Sequence, residues 1–315
     1  MSSAERPARA TRLWRRQARR DGRRPGRALV PYLFLAPFLI VFTIFTILPL
    51  LYALNLSLFR DTLVGGRVFA GLANYVEVVA DGKFWRGVSN MLLFGLMQMP
   101  VMLGLALALA LILDSGVTYA RDLFRIAFYL PHVVPTVLAA LIWGYLYGPA
   151  FGPITQVSRA LGLPAPNLMS DAWMLPSLAN IVTWEYTGYN MIIMFAALQA
   201  VPRELEEAAV IDGASAWRYA LLVKVPLIKP AILLTVIFSV IGTLQLFSEP
   251  QLMKALSPQV IGDHYTPNIY AYSLAFINQE YNYSAALSFV LGAMVAVISY
   301  AFMWSSSRRS GGAFG

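Results

Sequence analysis

The sequence predicts an all-α polytopic membrane protein with six transmembrane helices, and three observations support this fold class. Of 315 residues, 58% are hydrophobic and only 13% are charged, whereas about 25% of a soluble domain is charged. Six apolar stretches of about 20 residues are each long enough to cross a hydrocarbon layer of about 30 Å. No stretch alternates as a barrel strand does, and a bilayer cannot satisfy a bare backbone, so each crossing is expected to be helical.

The predicted crossings divide the chain into a tail at 1–30, a membrane domain at 31–304 and a second tail at 305–315. The six crossings are expected at residues 32–54, 91–113, 126–147, 175–200, 231–247 and 285–304. Proline residues in or beside these stretches predict kinks or helix ends at Pro37, Pro49, Pro100, Pro131 and Pro135.

The basic residues predict the orientation of the chain. Eighteen of the 24 Lys and Arg residues fall on one side of the crossings, and ten of these lie between Arg6 and Arg27. The positive-inside rule therefore predicts that both termini are cytoplasmic. Nucleic acid would also attract this tail, but anionic lipid accounts for it with fewer assumptions, so we expect membrane lipid and no nucleic acid as a partner. The apolar run after Arg27 is longer than a signal-peptide core, which predicts a retained first helix.

The composition argues against catalysis by this chain. With no Cys, it has no disulfide, zinc-thiolate site or Cys nucleophile. The phosphate-binding loop G-x-x-x-x-G-K-[ST] is absent, because the single Gly-Lys pair at Gly82 and Lys83 is followed by Phe84. His132 and His264 are the only His residues, and no H-E-x-x-H occurs. We predict no catalytic residue, no metal site and no cofactor bound by this chain.

One loop on the predicted cytoplasmic face, residues 201–230, has a structure of its own. Pro202 suits the first turn of a helix, and the three Glu residues that follow suit the positive end of the helix dipole. Gly213 is expected to end this helix in the left-handed conformation, and a second helix is predicted from Ala214 to Val225. Small residues permit close approach of a partner backbone, and Glu207 offers an anchor to a basic residue. The alternative is an amphipathic helix on lipid headgroups, which three neighbouring carboxylates disfavour.

Within this loop, the segment EAAVIDGASAWRYALLVKVPLIKP resembles the EAA motif of the permease subunits of bacterial ABC importers, in its carbohydrate-uptake form. Other stretches are similar to the first-subunit type, which resembles the maltose and glycerol-3-phosphate permeases. These stretches are YLFLAPFLIVF, GLANYVEVV, FRIAFYLPHVVPTVLAALIWGYLY and YTPNIYAYSLAF. The resemblance covers roughly residues 31–304. It implies a multi-pass subunit of the bacterial inner membrane that forms half of a translocation pathway.

The resemblance also implies partners and a cargo. A second homologous permease subunit, two cytoplasmic ATPase subunits that bind ATP and Mg, and an extracytoplasmic solute-binding protein are expected. The cargo is expected to be a sugar or oligosaccharide, with glycerol-phosphate derivatives as the alternative. No Lys or Arg lies within a predicted crossing to hold a phosphate, which favours the sugar.

The bent pair would be the coupling helix, docked in a cleft of the ATPase. The residues that the resemblance assigns to this contact are Glu204, Glu207, Ala208, Ala209, Asp212, Gly213, Ala214 and Trp217. Two departures from the family pattern stand out. Ala220 replaces an aromatic residue, for which we expect the adjacent Tyr219 to substitute, and the segment LMKALSPQVIGDHYTP replaces a Gly-Gly-Pro after the fifth crossing.

Polar side chains within the crossings mark a candidate substrate pathway. Glu185 lies in the fourth crossing within TWEYTGYN, among aromatic and hydrogen-bonding side chains that suit a sugar. A structural carboxylate buried against a neighbouring helix or the partner subunit accounts for Glu185 equally well. The resemblance places seven residues at or next to lining positions: His132, Thr136, Glu185, Tyr186, Tyr189, Ser239 and Thr243. Each of them also suits an ordinary interhelical hydrogen bond.

Two other classes remain open on the sequence alone. A secondary transporter would carry its own coupling-ion carboxylates and often an inverted repeat, whereas this chain has one deep carboxylate and no visible repeat. An intramembrane enzyme would have to turn over its substrate alone and without nucleotide.

Overall fold

The computed structural model describes the backbone of residues 25–62, 65–116 and 119–309, and the side chains of residues 32–62, 65–116 and 119–304. Nine of the ten Arg residues of the N-terminal tail lie outside the described residues, as do residues 310–315. Apart from one hairpin, the regular elements of the described chain are helices, which confirms the all-α fold class.

The elements are numbered here in chain order. The helices are α1 Pro25–Phe42, α2 Leu48–Ser57, α3 Ala73–Ala80, α4 Gly82–Asp114, α5 Arg121–Val133, α6 Thr136–Leu146, α7 Pro153–Ala160, α8 Asp171–Leu198, α9 Glu204–Ile211, α10 Ala216–Tyr219, α11 Val225–Leu227, α12 Lys229–Leu244, α13 Ser248–Leu256, α14 Pro267–Tyr272 and α15 Tyr281–Arg309. Three π-helical segments extend or join them, at Thr43–Ile47, Ala220–Lys224 and Ser273–Ile277. Strands β1 Phe59–Thr62 and β2 Gly66–Phe69 form an antiparallel hairpin.

The chain divides into two compact units, residues 1–56 and 57–315. The described part of the first unit is helical and apolar, and most of its large hydrophobic side chains are exposed. An apolar surface of this extent needs lipid or another subunit to cover it.

The number of membrane crossings is only partly settled by the described residues. Three helices are long and apolar enough to cross a membrane, namely Tyr32–Ser57, Gly82–Asp114 and Tyr281–Trp304. Two bent pairs meet the same description together and would raise the number to five: Arg121–Val133 with Thr136–Tyr147, bent by 95°, and Ala216–Leu227 with Lys229–Leu244, bent by 68°. The fourth crossing, expected at 175–200, stays a prediction.

Helix α8, which covers most of the fourth predicted crossing, lies at the centre of the second unit. It packs against α4, α5, α6, α12 and α13, and its 28 residues correspond to roughly 42 Å. Its polar residues Glu185 and Asn190 are buried in protein. A helix surrounded by other helices need not be apolar throughout, which explains why α8 is not among the three helices that are apolar enough to cross a membrane.

Several predicted boundaries differ from those of the structure. The second crossing was expected to begin at 91, but α4 begins at Gly82, where Asp81 accepts a hydrogen bond from the backbone N–H of Lys83 at 2.8 Å. The polar residues of these first turns explain why the hydropathy pattern misses them. A break before Pro135 divides the third crossing into α5 and α6, whereas α4 continues through Pro100. The hairpin was not predicted.

Candidate functional site

A cavity of about 470 Å³ lies between α4, the α5–α6 break, α8 and α12, and the start of α13 closes one side of it. This volume falls within the range of about 300–1,000 Å³ that is typical of small-molecule sites. Its wall combines aromatic rings with hydroxyl and amide groups. The lining residues are Phe94, Gln98, Met102, His132, Thr136, Val182, Tyr186, Tyr189, Asn190, Phe238, Ser239, Gly242, Thr243, Gln245, Leu246, Phe247, Ser248 and Glu249.

The structure brings six of the seven predicted pathway residues into this wall. They are His132, Thr136, Tyr186, Tyr189, Ser239 and Thr243. The seventh, Glu185, does not line the cavity and lies behind the wall, where one of its oxygens accepts a hydrogen bond from Thr136 Oγ1 at 2.9 Å. The predicted residues of three separate crossings therefore meet at one cavity, although the sequence could not show which side chains reach its surface.

His132 belongs to an aromatic cluster on the cavity wall. Its ring centroid lies 4.7 Å from that of Tyr189, 5.1 Å from that of Tyr186 and 5.6 Å from that of Tyr129. The break before Pro135 directs His132 and Thr136 into the same cavity from two different helices. The cluster presents flat apolar faces beside groups that form hydrogen bonds.

Other polar residues of the fourth predicted crossing have structural partners. The Thr187 hydroxyl donates to the backbone carbonyl of Thr183 at 2.5 Å within α8. The Trp184 ring packs edge-on against Trp143 with centroids 5.8 Å apart. Only some of the polar and aromatic residues of the fourth predicted crossing therefore face the cavity.

Five polar residues of the wall were not among the predicted site residues: Gln98, Asn190, Gln245, Ser248 and Glu249. Gln98 is buried in α4, and its amide contacts Met102 Sδ at 2.9 Å. Asn190 donates to the carbonyl of Tyr186 at 2.9 Å. Glu249 is 8% exposed and lies at the start of α13. Gln98 had a usable signal, since it is an isolated amide in a long apolar helix, whereas Glu249 lies near the outer end of the fifth predicted crossing, where a carboxylate is not unusual.

The charge of the wall is one-sided. Glu249 is its acidic residue, and the lining set contains no Lys or Arg among the described residues. Burial raises the pKa of the Glu249 carboxyl group above its ordinary value. Because the described wall has a carboxyl group and no Lys or Arg, it suits uncharged groups better than anions.

The second candidate region is the helical elbow, defined as residues 204–227. It begins with α9, and Gly213 ends that helix at a φ of +74°. The backbone N–H of Ala214 donates to the carbonyl of Ala209 at 2.9 Å, and that of Gly213 donates to Val210 at 3.0 Å. These two bonds form a Schellman motif, the geometry in which glycine is favoured. The side chain of Ser215 then caps α10 by accepting from Arg218 N–H at 3.3 Å.

The outer surface of the elbow is exposed. No residue of α9 is buried, and the side chains of Val210, Ile211 and Trp217 are largely exposed. Tyr219, which we expected to replace the aromatic residue missing at Ala220, is instead buried, at 6% exposure. The reason is that its ring packs over the Lys224 ammonium group, 4.9 Å from the ring centroid, so Trp217 is the exposed aromatic residue of the elbow.

A buried ion pair joins the elbow to the ends of two long helices. Lys224 Nζ lies 2.6 Å from Asp114 Oδ2, and the two side chains are 11% and 8% exposed. The amide of Gln199 donates to the other oxygen of Asp114 at 2.6 Å. Glu206 Oε2 lies 3.8 Å from the same ammonium group. Neither the ion pair nor its partners belonged to the predicted site.

The relatives of this chain are transport permeases. It is 33% identical over 282 residues to the lactose transport system permease protein LacF of Rhizobium radiobacter, which covers 88% of this chain and 94% of LacF. It is 30% identical over 277 residues to the arabinooligosaccharides transport system permease protein AraP of Bacillus subtilis, which covers 87% of each.

A solved structure shares the fold. A chain of a bacterial alginate ABC transporter, in complex with an alginate pentasaccharide-bound periplasmic protein, matches with a TM-score of 0.80 at 21% identity, over 91% of this chain and 96% of that chain. The sequence model of one family matches residues 27–307, nearly the whole chain and both candidate regions. The chain therefore belongs to the family of binding-protein-dependent transport system inner membrane components.

Proposed function

We propose that this chain is a transmembrane permease subunit of an ATP-driven, binding-protein-dependent importer for a sugar or oligosaccharide. The description of its family supports the importer class, and the names of its relatives, which refer to lactose and arabinooligosaccharides, support the cargo. Neither name refers to glycerol phosphate, so that alternative is not favoured. The family is a transport component, and ATP with its Mg would be bound and hydrolysed by two separate cytoplasmic ATPase subunits.

The observation that carries the proposal is the composition of the cavity wall. A sugar ring presents C–H faces that pack on aromatic side chains and hydroxyl groups that need hydrogen-bond partners. Tyr186 and Tyr189 offer the aromatic surface, and Gln98, Asn190 and Thr136 offer polar atoms. A second, homologous permease subunit would supply the opposite half of the pathway. Glu185 would act from behind the wall by holding Thr136 in place.

The absence of Lys and Arg from the described wall, together with Glu249, favours a neutral sugar over an acidic one. An anionic solute would meet a carboxylate without a compensating cation on this half of the pathway. This distinguishes the proposed cargo from the acidic polysaccharide alginate, which a structural neighbour imports.

The elbow is the proposed contact with the ATPase. Val210, Ile211 and Trp217 are exposed apolar side chains that a partner could cover, and Glu204 and Glu207 provide carboxylates for basic residues of a partner. In this proposal, closure of the ATPase subunits displaces the elbow and reopens the cavity to the other side. The elbow and both chain termini would then face the cytoplasm, and a solute-binding protein would deliver sugar from outside.

The test is reconstitution of the complete complex, with its second permease, ATPase and binding protein, in lipid vesicles. Uptake and ATP hydrolysis would be measured with lactose, maltose, trehalose, arabinotriose and glycerol 3-phosphate. We expect uptake of at least one sugar that depends on ATP and on the binding protein. Uptake that persists in vesicles without the ATPase chain would instead indicate a secondary transporter. Stimulation by glycerol 3-phosphate alone would overturn the proposed cargo.

A further inference from the structure

We propose that the buried Asp114–Lys224 ion pair is the positioning element that transmits displacement of the elbow to α4 and α8, and through them to the cavity. The proposal rests on the proposed function, because it assumes that an external motor moves the elbow. It concerns two residues outside the set assigned to the elbow by its sequence motif. Neither residue touches the cavity, so both would act through other residues.

The ion pair lies where three elements meet. Asp114 is the last residue of α4, Gln199 follows the last residue of α8, and Lys224 ends the π-helical segment of the elbow. Both contacts of the Asp114 carboxylate, to Lys224 and to Gln199, are 2.6 Å long. A displacement of the elbow therefore acts directly on the ends of both helices.

The two helices continue from the ion pair to the cavity without a break. Met102 lines the cavity twelve residues before Asp114 on α4, which is roughly 18 Å along a helix. Asn190 lines it nine residues before Gln199, or roughly 14 Å, along α8. Continuous helices move as stiff bodies. A displacement at the ion pair would therefore reach the cavity wall, although the two are far apart.

The elbow has few other buried attachments to the helix bundle. No residue of α9 is buried, and Tyr219 is the buried residue of α10. Lys224 is itself 9% exposed and contacts the Tyr219 ring on one side and the Asp114 carboxylate on the other. A charge-assisted hydrogen bond is short and directional, whereas an apolar contact can slide. Loss of the pair should therefore loosen the elbow from the bundle without changing its outer surface.

The neighbouring carboxylate predicts an order of effects. Glu206 lies 3.8 Å from Lys224 and is on α9, so Lys224 links α4 to both parts of the elbow. Removal of Asp114 leaves Lys224 with Glu206 as a partner, whereas removal of Lys224 leaves both carboxylates without their cation. Lys224→Met should therefore be more damaging than Asp114→Asn.

The experiment measures sugar taken up per ATP hydrolysed by the complete complex in vesicles, with the sugar of the panel above that drives uptake in the wild type. In Lys224→Met we expect this ratio to fall at least about fivefold while ATP hydrolysis without sugar persists. Asp114→Asn should lower it less. The matched control is Lys254→Met, which removes an ion pair to Asp263 whose Nζ–Oδ1 distance is 2.5 Å and which does not belong to the elbow. Its ratio should equal that of the wild type.

A tether tests the mechanical role separately from folding. Since the chain has no Cys, Asp114→Cys/Lys224→Cys can be linked with a short bifunctional methanethiosulfonate and released by reduction. We expect the double-Cys variant to take up little sugar per ATP hydrolysed when its thiols are reduced. Its ratio of uptake to hydrolysis should recover when the two thiols are linked. A linked complex that stays uncoupled, or a wild-type ratio in Lys224→Met, would overturn the proposal.

A second variant applies if Lys224→Met fails to assemble. Gln199→Ala changes an exposed position and removes one of the two contacts of Asp114, so it should still lower the ratio. A wild-type ratio in Gln199→Ala would count against the proposal. A wild type without ATP-driven uptake would instead refute the importer assignment.

Discussion

Thr136 donates its hydroxyl hydrogen to Oε1 of Glu185 at 2.9 Å, from the start of α6 to the middle of α8. Thr136 lines the cavity and Glu185 does not. The second carboxylate oxygen, Oε2, is buried without a hydrogen-bond partner among the described residues. This geometry favours the structural interpretation of Glu185, in which the carboxylate holds the cavity wall at the break before Pro135.

Replacement of Thr136 tests this role. Thr136→Val keeps the shape of the side chain but leaves Oε1 of Glu185 buried without its donor, which we expect to cost about 1–3 kcal/mol of stability. Sugar-stimulated ATP hydrolysis should fall, while basal hydrolysis in detergent stays nearly unchanged. Thr136→Ser retains the hydroxyl group and should behave like the wild type. Thermal unfolding and ATPase assays of the purified complex measure the loss of stability and the loss of stimulation. Equal stability and equal stimulation in Thr136→Val and Thr136→Ser would contradict the prediction.

Glu249 should determine charge selectivity. Its carboxylate is 8% exposed and lines the cavity without a neighbouring Lys or Arg on the described wall. Glu249→Gln removes the negative charge at nearly constant volume, so we expect the uptake of a uronate disaccharide, relative to a neutral disaccharide, to rise about tenfold. Glu280→Gln, an exposed site outside the cavity wall, serves as the control and should leave the ratio unchanged. The comparison requires a binding protein that accepts both sugars, and an unchanged ratio in Glu249→Gln would remove Glu249 from the pathway.

Gly188 allows α5 and α8 to approach each other more closely than any other residue would. A Cβ at this position would lie 1.9 Å from the carbonyl oxygen of Phe128 and 2.9 Å from the Cα of Tyr129. These are backbone atoms, so the helices would have to separate. We expect Gly188→Ala to destabilise the protein by about 1–3 kcal/mol. At Gly104, in α4, a Cβ meets nothing within 4 Å, so Gly104→Ala should be neutral or stabilising by up to about 1 kcal/mol. The midpoint of thermal unfolding should fall in Gly188→Ala and should stay the same or rise in Gly104→Ala.

The sequence predicted the fold class and most of the cavity, because apolar length and isolated polar side chains are local properties. His132 and Ser239 stood out as polar residues in predicted crossings, and the family resemblance assigned them to lining positions. Gly188 could not be recognised as a contact point, because its role depends on the carbonyl of Phe128, sixty residues away. The same applies to the Asp114–Lys224 pair, whose two residues are 110 positions apart. Glu249 was noted near the outer end of the fifth predicted crossing but not assigned to the site, because the sequence does not show that the start of α13 lies against the cavity.

Asp81 should stabilise the outer part of the second unit in a manner that depends on pH. It accepts hydrogen bonds from Tyr270 at 2.7 Å and Tyr283 at 3.0 Å, and from the backbone N–H of Lys83. Burial raises the pKa of this carboxyl group, but the hydrogen bonds outweigh burial, so the pKa lies below its ordinary value of 3.8.

Because the pKa is lower in the folded state, the stabilising effect of Asp81 is present above the unfolded pKa and is lost as the pH falls through the folded one. Asp81→Ala should therefore cost about 1 kcal/mol equally at pH 6 and pH 8. The cost should shrink below about pH 4. Thermal unfolding of both proteins at about pH 8, 6, 4 and 3 measures the cost, and a difference that grows on acidification would refute the assignment.

The shape of the elbow depends on the left-handed backbone conformation of Gly213. Its φ is +74°, and a Cβ there would meet nothing within 4 Å. The restriction is therefore conformational and not steric crowding by neighbours. Asn tolerates the left-handed region, whereas a β-branched residue does not. We expect Gly213→Asn to retain sugar uptake, and Gly213→Val to uncouple ATP hydrolysis from uptake with normal insertion in the membrane.

Two further observations make this comparison decisive. The Schellman bonds from Gly213 and Ala214 exist only while position 213 is left-handed, so Val would open the turn and shift Trp217 relative to α9. Glu207→Ala leaves the turn intact and removes one proposed contact with the ATPase, so it should uncouple transport without changing elbow geometry. Proteolysis at the elbow should therefore accelerate in Gly213→Val but not in Glu207→Ala or Gly213→Asn. Normal uptake in both Gly213→Val and Glu207→Ala would show that the elbow is not the point at which the ATPase acts.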